Sequence, residues 1–241
     1  MKRFLVIACV ACLAMSVRAA ETPKQGLGVH IGWAQPILRL NDPSNPSTSK
    51  DSLSNITKLK GLKVGVAYDG SIIKGFGASM GINYTFAATN TGWTKKNSSQ
   101  PTLYPQVQDK ITYHEVEVFV DWQYKFEVAK ETYLMLYSGP TIQCGIAFNS
   151  RRDEKALDGT ITPAIDGIHR YTTTDADKVL KRMNVTWGVG AGFQYQRYFI
   201  RGGYDFGLFS PYKNDDFSNG NHARGRLDQW QIKIGMYLWY E

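Results

Sequence analysis

Apolar side chains occupy every second position in Phe76, Ala78, Met80, Ile82, Tyr84 and Phe86, and Gly77, Ser79, Gly81, Asn83 and Thr85 lie between them. A helix returns apolar residues at every third or fourth position, so this segment is a strand with two chemically different faces. The same period recurs in Val185, Trp187, Val189, Ala191, Phe193 and Tyr195, and again in Trp230, Ile232, Ile234, Met236, Leu238 and Tyr240. Alternation repeated this often restricts the chain to an all-β fold.

Eight such segments are expected, at about 26–40, 58–68, 75–86, 111–126, 132–147, 184–195, 198–209 and 226–240. Their connections alternate in length. Those after the first, third, fifth and seventh strands are long (Asn41–Thr57, Ala87–Lys110, Phe148–Met183, Ser210–Gly225), and those between are short (Asp69–Lys74, Glu127–Glu131, Gln196–Arg197). Short turns at one end and long loops at the other are the plan of bacterial outer-membrane barrels. The expected fold is an eight-stranded antiparallel up-and-down transmembrane β-barrel with short periplasmic turns and long extracellular loops. Ile161, Ile165, Ile168 and Tyr171 in the longest loop allow two further short strands, so eight and ten strands both remain open.

Alternation alone does not say which face is the inside. A solvated strand face usually carries Lys, Glu and Thr, because Gly weakens a strand and gives nothing to pack. Here the polar face of the third and sixth strands is Gly, Ser, Asn and Thr, which suits a narrow barrel interior and turns the apolar set towards lipid. The segments reach the ~9–11 residues of a tilted membrane crossing. Trp33, Tyr68, Tyr84, Phe86, Tyr113, Tyr124, Phe126, Tyr133, Tyr195, Tyr198 and Tyr240 lie near strand ends, where aromatic girdles form. On this phase Lys63, Glu115, Glu117, Asp121, Lys125, Arg201, Asp205 and Lys233 point inward, four basic and four acidic. A charge on the lipid face would cost ~2–4 kcal/mol at mid-depth. A neutral lumen plugged by internal pairs is therefore expected.

Ahead of the strands, Lys2 and Arg3 precede the apolar run Phe4 to Val17 and the small residues of Val17-Arg18-Ala19. This is the pattern of a secretory signal peptide, residues 1–19, leaving 20–241 as the barrel domain. Lipidation at Cys12 is the rival reading, but the apolar run continues past that residue. Cleavage takes three of the 28 basic side chains and none of the 21 acidic ones, leaving a net charge of +4. That is no nucleic-acid footprint. Cys144 would then be the sole cysteine, and it falls on the lipid-facing parity, where a thiol behaves as a small hydrophobe.

With the strands placed, the chain resembles the PorT-like outer-membrane β-barrel domain family over nearly all of the mature sequence. Glu117-Val118 with Gln123-Tyr124-Lys125-Phe126 is similar to that family's fourth strand, with Phe119 where the family usually has Pro. Gly139-Pro140 resembles its fifth, Gly188, Gly190, Gly192 and Tyr195 its Gly-rich sixth, and Arg201, Tyr204, Gly207 and Leu208 its seventh. Lys233, Gly235, Leu238 and Tyr240 resemble the C-terminal signal read by the barrel-assembly machinery, except that the chain ends on Glu241 rather than on the aromatic. The resemblance implies an integral outer-membrane protein whose partners are lipid, lipopolysaccharide and that machinery.

No catalytic, cofactor-binding or metal-ligating residue is assigned, and no enzyme activity is expected. His30, His114, His169 and His222 are scattered without metal-ligand spacing. Gly188, Gly190 and Gly192 lie inside a strand with no helix after them, unlike a nucleotide loop. A lipid-modifying enzyme, which needs a Ser and a His together near one rim, is one alternative, with Ser79 and His30 both on the inward face. A narrow low-conductance pore is the other. The expected role is structural or a surface interaction carried by the loops. Lys95, Lys96, Lys213, Arg224 and Arg226 are candidates to meet lipopolysaccharide phosphates, and the mixed charges of 148–183 fit a solvated hairpin above the membrane.

Overall fold

A computed structural model describes residues 18–19, 25–41, 56–90, 92–95, 106–169, 171–172, 180–211 and 224–241. The apolar run 4–17 of the expected signal peptide lies outside them, as do Lys96, Lys213 and His222.

Eight strands form a ring: β1 (Gly26–Asn41), β2 (Lys60–Ile73), β3 (Phe76–Asn90), β4 (Gln106–Ala129), β5 (Thr132–Lys155), β6 (Met183–Tyr195), β7 (Tyr198–Gly207) and β8 (Arg224–Tyr240). Each pairs antiparallel with the next, and β8 pairs with β1 from Arg224↔Asn41 to Tyr240↔Gly26. Closure removes the unpaired edges that an open sheet would present. Among the described residues, four short strands add to the ring. Arg18–Ala19 and Thr94–Lys95 pair β4, Ile56–Lys58 pairs β1, and Ile161–His169 pairs β5.

The three short connections are tight turns at Lys74-Gly75, Lys130-Glu131 and Gln196-Arg197. Each contains residues in the left-handed region: Lys74 (φ 23°) with Gly75 (φ 80°), Glu131 (φ 57°), and Gln196 (φ 52°). Positive φ lets a two-residue loop follow the twist of its flanking strands.

Side-chain exposure follows the sequence alternation. Leu62, Val64 and Val66 are exposed, whereas Lys63, Ala67 and Asp69 between and beyond them are buried. The apolar row continues around the ring through the paired positions Val66, Ile82, Val118 and Ile142, all exposed. Large apolar side chains outside and ionisable ones inside reverse the arrangement of a water-soluble domain, and this is the lipid-facing belt of a membrane barrel.

Four details differ from the sequence reading. β4 and β5 each run 24 residues, roughly 80 Å of chain at ~3.3 Å per residue, about twice a membrane crossing. Their outer ends are tied by polar pairs rather than apolar alternation: Arg152 Nε to Asp109 at 2.7 Å and Lys110 Nζ to Asp153 at 3.0 Å. Within the expected longest loop, the described residues give the outer end of β5, as far as Lys155, paired with an added strand Ile161–His169, and Tyr171 lies in the turn after it. Tyr113 and Tyr133 are buried inside the ring rather than in a girdle, because they share parity with Glu115 and Met135. A bulge between Tyr237 and Trp239 shifts the register at the end of β8. After it Trp239 faces outward, and Tyr240 stacks on the buried Tyr237 at 4.9 Å between centroids, off the lipid-facing row.

The raised hairpin has its own pH dependence. Asp153 is held below the usual carboxylate range by hydrogen bonds from Arg151 (2.7 Å) and Lys110 (3.0 Å). A depressed carboxyl contributes stability that is present above its unfolded value and lost as pH falls through its folded one. Protection factors of the amides in 106–112 and 149–155, with the intrinsic pH dependence of exchange divided out, should therefore be constant across neutral pH and fall in acid below about pH 4. Asp153→Asn should remove that acid step. An acid step of equal size in the variant would assign the dependence to another group.

Candidate functional site

Eight inward-facing rows converge on a lumen filled by side chains, as expected of a ring this small. The inward glycines of β6 leave the space that larger groups cross. A Cβ at Gly190 would stand 2.3 Å from the Tyr137 ring, and one at Gly188 would stand 2.5 Å from the Asp205 carboxylate.

All eight ionisable residues assigned inward by parity are buried: Lys63, Glu115, Glu117, Asp121, Lys125, Arg201, Asp205 and Lys233. Five of them, Lys63, Glu117, Lys125, Arg201 and Asp205, build two networks with Asp69. At the short-turn end, Asp69 accepts from Arg201 Nη2 at 2.6 Å, from Lys125 Nζ at 3.1 Å and from the Tyr237 hydroxyl. Arg201 also donates to the Ser79 hydroxyl at 3.0 Å, and Lys125 to Gln194 at 3.2 Å. At mid-height, Lys63 Nζ reaches both oxygens of Glu117 (2.9 and 2.6 Å) and Gln231 Oε1 (3.0 Å). Glu117 additionally accepts from Asn83 at 3.0 Å and Gln229 at 2.7 Å. Gln231 then donates to Asp205 at 2.7 Å. Charge-assisted bonds with several donors per carboxylate are the arrangement in which buried ions are tolerated.

Asp69 is the residue the sequence reading missed. The sequence pattern puts it in a turn, yet β2 continues to Ile73 and Asp69 is fully buried at the centre of the lower network. The odd parity of Lys63, Gly65 and Ala67, extended by one step, points to it. Its presence gives five acidic against four basic side chains in the lumen, so the expected count of four against four does not hold. Asp153 and Asp228 are also buried, but at the long-loop rim. There Asp228 pairs with Arg39 (2.9 Å) and Arg226 (2.8 Å), so Arg226 is engaged within the chain.

Apolar groups border the polar lumen at both ends. Met135, Phe199 and Tyr237 pack together near the short turns. Leu59, Ala87, Tyr113, Phe148, Leu180 and Leu227 pack together at the long-loop mouth, with Tyr171 against them. The phenol of Tyr171 seats on Gly145, where a Cβ would stand 1.9 Å from its oxygen.

The groups required by a Ser–His site are engaged elsewhere. His30 Nε2 bonds Asn83 Oδ1 at 2.7 Å, and Ser79 takes the Arg201 guanidinium. His114 is on the outer face, bonded to the Tyr84 hydroxyl at 2.7 Å. Among the described residues, no group of three His, Cys, Asp or Glu side chains is arranged to hold a metal.

A family model described as an outer membrane protein beta-barrel domain matches residues 26–212. No curated relative matches the chain. Solved structures similar to it include Ail, the attachment invasion locus protein of Yersinia pestis, in complex with the heparin analogue sucrose octasulfate (11% identity, 90% of this chain and 99% of that one, TM-score 0.38). Neisserial surface protein A is similar at 11% identity over 88% of this chain and 97% of that one, with a TM-score of 0.39. The N-terminal β-barrel domain of Pseudomonas aeruginosa OprF is similar at 10% identity over 88% and 99%, with a TM-score of 0.32.

Proposed function

The chain belongs to the outer membrane protein beta-barrel domain family, and from that premise we propose an outer-membrane protein with a plugged lumen whose long loops carry a structural or surface-interaction role. Outer-membrane location follows from the family and the lipid-facing belt. The observation that carries the closed lumen is the pair of networks centred on Asp69 and Glu117, each joining side chains from opposite sides of the ring. A hydrated ion entering this space would have to displace buried charges from their partners, at several kcal/mol each.

The remaining parts of the reading rest on sequence features. Residues 1–19 act as a cleaved Sec-type signal. The barrel-assembly machinery takes β8, whose outward row runs Trp230, Ile232, Ile234, Met236 and Leu238. Within the family the PorT-like branch is favoured by Glu117-Val118, Gly139-Pro140 and the glycines of β6. On the exterior, Lys110, Arg151 and Arg152 sit on the raised ends of β4 and β5, at a height suited to lipopolysaccharide phosphates or a surface polysaccharide.

Planar-bilayer recording tests the plug. Purified wild-type barrel should give little or no conductance, because side chains rather than water fill the lumen. A steady ion-selective current would overturn the plug and make the chain a narrow pore.

A further inference from the structure

With every lumen carboxyl ionised, the lumen is one positive charge short. Lys125 and Arg201 face Asp69 near the short turns, Lys233 interacts electrostatically with Asp121 and Asp205, and Asp205 is also joined to Lys63 through Gln231. In the storey beneath the long-loop mouth, Lys63 alone faces Glu115 and Glu117. Its three ammonium protons are committed to the two oxygens of Glu117 and to Gln231. Among the described residues no cation pairs with Glu115, which is fully buried.

The same storey holds oxygens without donors. One Glu115 oxygen takes the Tyr113 hydroxyl, the carboxyl lies within hydrogen-bond reach of the Glu117 carboxyl, and Oε1 receives no donor. Thr85, directly across the ladder from Glu115, has an unpartnered Oγ1. Gln229 spends its Nε2 on Glu117 and leaves Oε1 free. On the facing wall, Asn184 Oδ1 and Thr186 Oγ1 are also unpartnered. Carboxylate, amide and hydroxyl oxygens with no sulfur or imidazole among them are the donor set of a small hard cation. His30 turns its Nε2 to Asn83 instead. A narrow cavity under Tyr113, Phe148 and Leu180 at the mouth is lined by Gln143 and Asn184 as well.

We infer that the storey beneath the extracellular mouth binds one small hard cation, of the sodium class, on Glu115 with Thr85 and Gln229. A single monovalent charge balances the lumen, whereas a divalent ion would overshoot it. The inference rests on the plugged-lumen reading only in treating the ion as resident rather than in transit, and its test reads stability instead of conductance.

The chain is refolded from urea into lipid vesicles in sodium chloride or in choline chloride of equal ionic strength, and thermal unfolding is followed. Wild type should show a higher midpoint in sodium, saturating with concentration. Thr85→Val, which keeps shape and removes one oxygen, should shift the half-saturating concentration upward by roughly tenfold or more. Glu115→Gln removes the uncompensated charge and keeps an acceptor for Tyr113. It should unfold at the same midpoint in both salts, at or above wild type in choline. Equal wild-type midpoints in the two salts would overturn the site. So would an infrared band of a protonated carboxyl present in wild type in sodium and missing from Glu115→Gln, since a proton would then supply the charge.

Discussion

Replacing Arg201 with Met should lower the stability of the folded barrel by roughly 3–5 kcal/mol, the range for removing one partner of a fully buried pair. Urea unfolding in lipid vesicles would read it as a fall in midpoint at constant slope. The size follows from what is left behind. Asp69 would keep Lys125 and Tyr237 but lose its 2.6 Å guanidinium contact, while one of its oxygens already has no partner. Ser79 would lose its donor as well. Removing both charges, in Asp69→Asn with Arg201→Met, should recover much of the loss, because the penalty lies in the stranded ion rather than in the absent bond. An Arg201→Met barrel as stable as wild type would mean that water reaches Asp69 and that the lumen is not packed shut.

Arg201 and Asp69 also mark how far the sequence carries. Parity placed Arg201 inside the ring because Gly203 and Asp205 share its face and Ile200 opposes it. Asp69 obeys the same parity, but its neighbours Tyr68, Gly70 and Ser71 carry no apolar row, and a strand without one looks like a turn. The outer halves of β4 and β5 were hidden for a related reason. Cross-strand pairs such as Asp109 with Arg152 stabilise a ladder without any hydrophobic period. The bulge at Tyr237 and Trp239 lies beyond sequence reasoning altogether, because one extra residue flips the parity of everything after it. Alternation alone accordingly puts Tyr240 towards lipid, although it stacks on Tyr237. Which charges meet across the lumen was likewise illegible. Lys63 and Glu117 are not neighbours in any ladder, and only the closed ring sets them 2.6 Å apart.

The belt itself makes the second large prediction. Ile82 lies in β3 between the paired residues Val66 and Val118, and all three are exposed apolar side chains. It stands six residues beyond the start of β3 at Phe76, near the middle of a crossing of ~9–11 residues. Ile82→Lys should therefore cost about 2–4 kcal/mol in a bilayer, the penalty for a cation at mid-depth on the lipid face of a barrel. Ile73, at the end of β2 beside the Lys74-Gly75 turn, is exposed on the same outer surface but at the interface. Ile73→Lys should cost only about 0–1 kcal/mol there. Exposure in the isolated chain does not separate these two positions, since 53% of Ile82 and 63% of Ile73 is accessible. Depth in lipid does. If both substitutions lay within about 0.5 kcal/mol of wild type, as at an ordinary solvated surface site, the outward apolar rows would not be facing hydrocarbon.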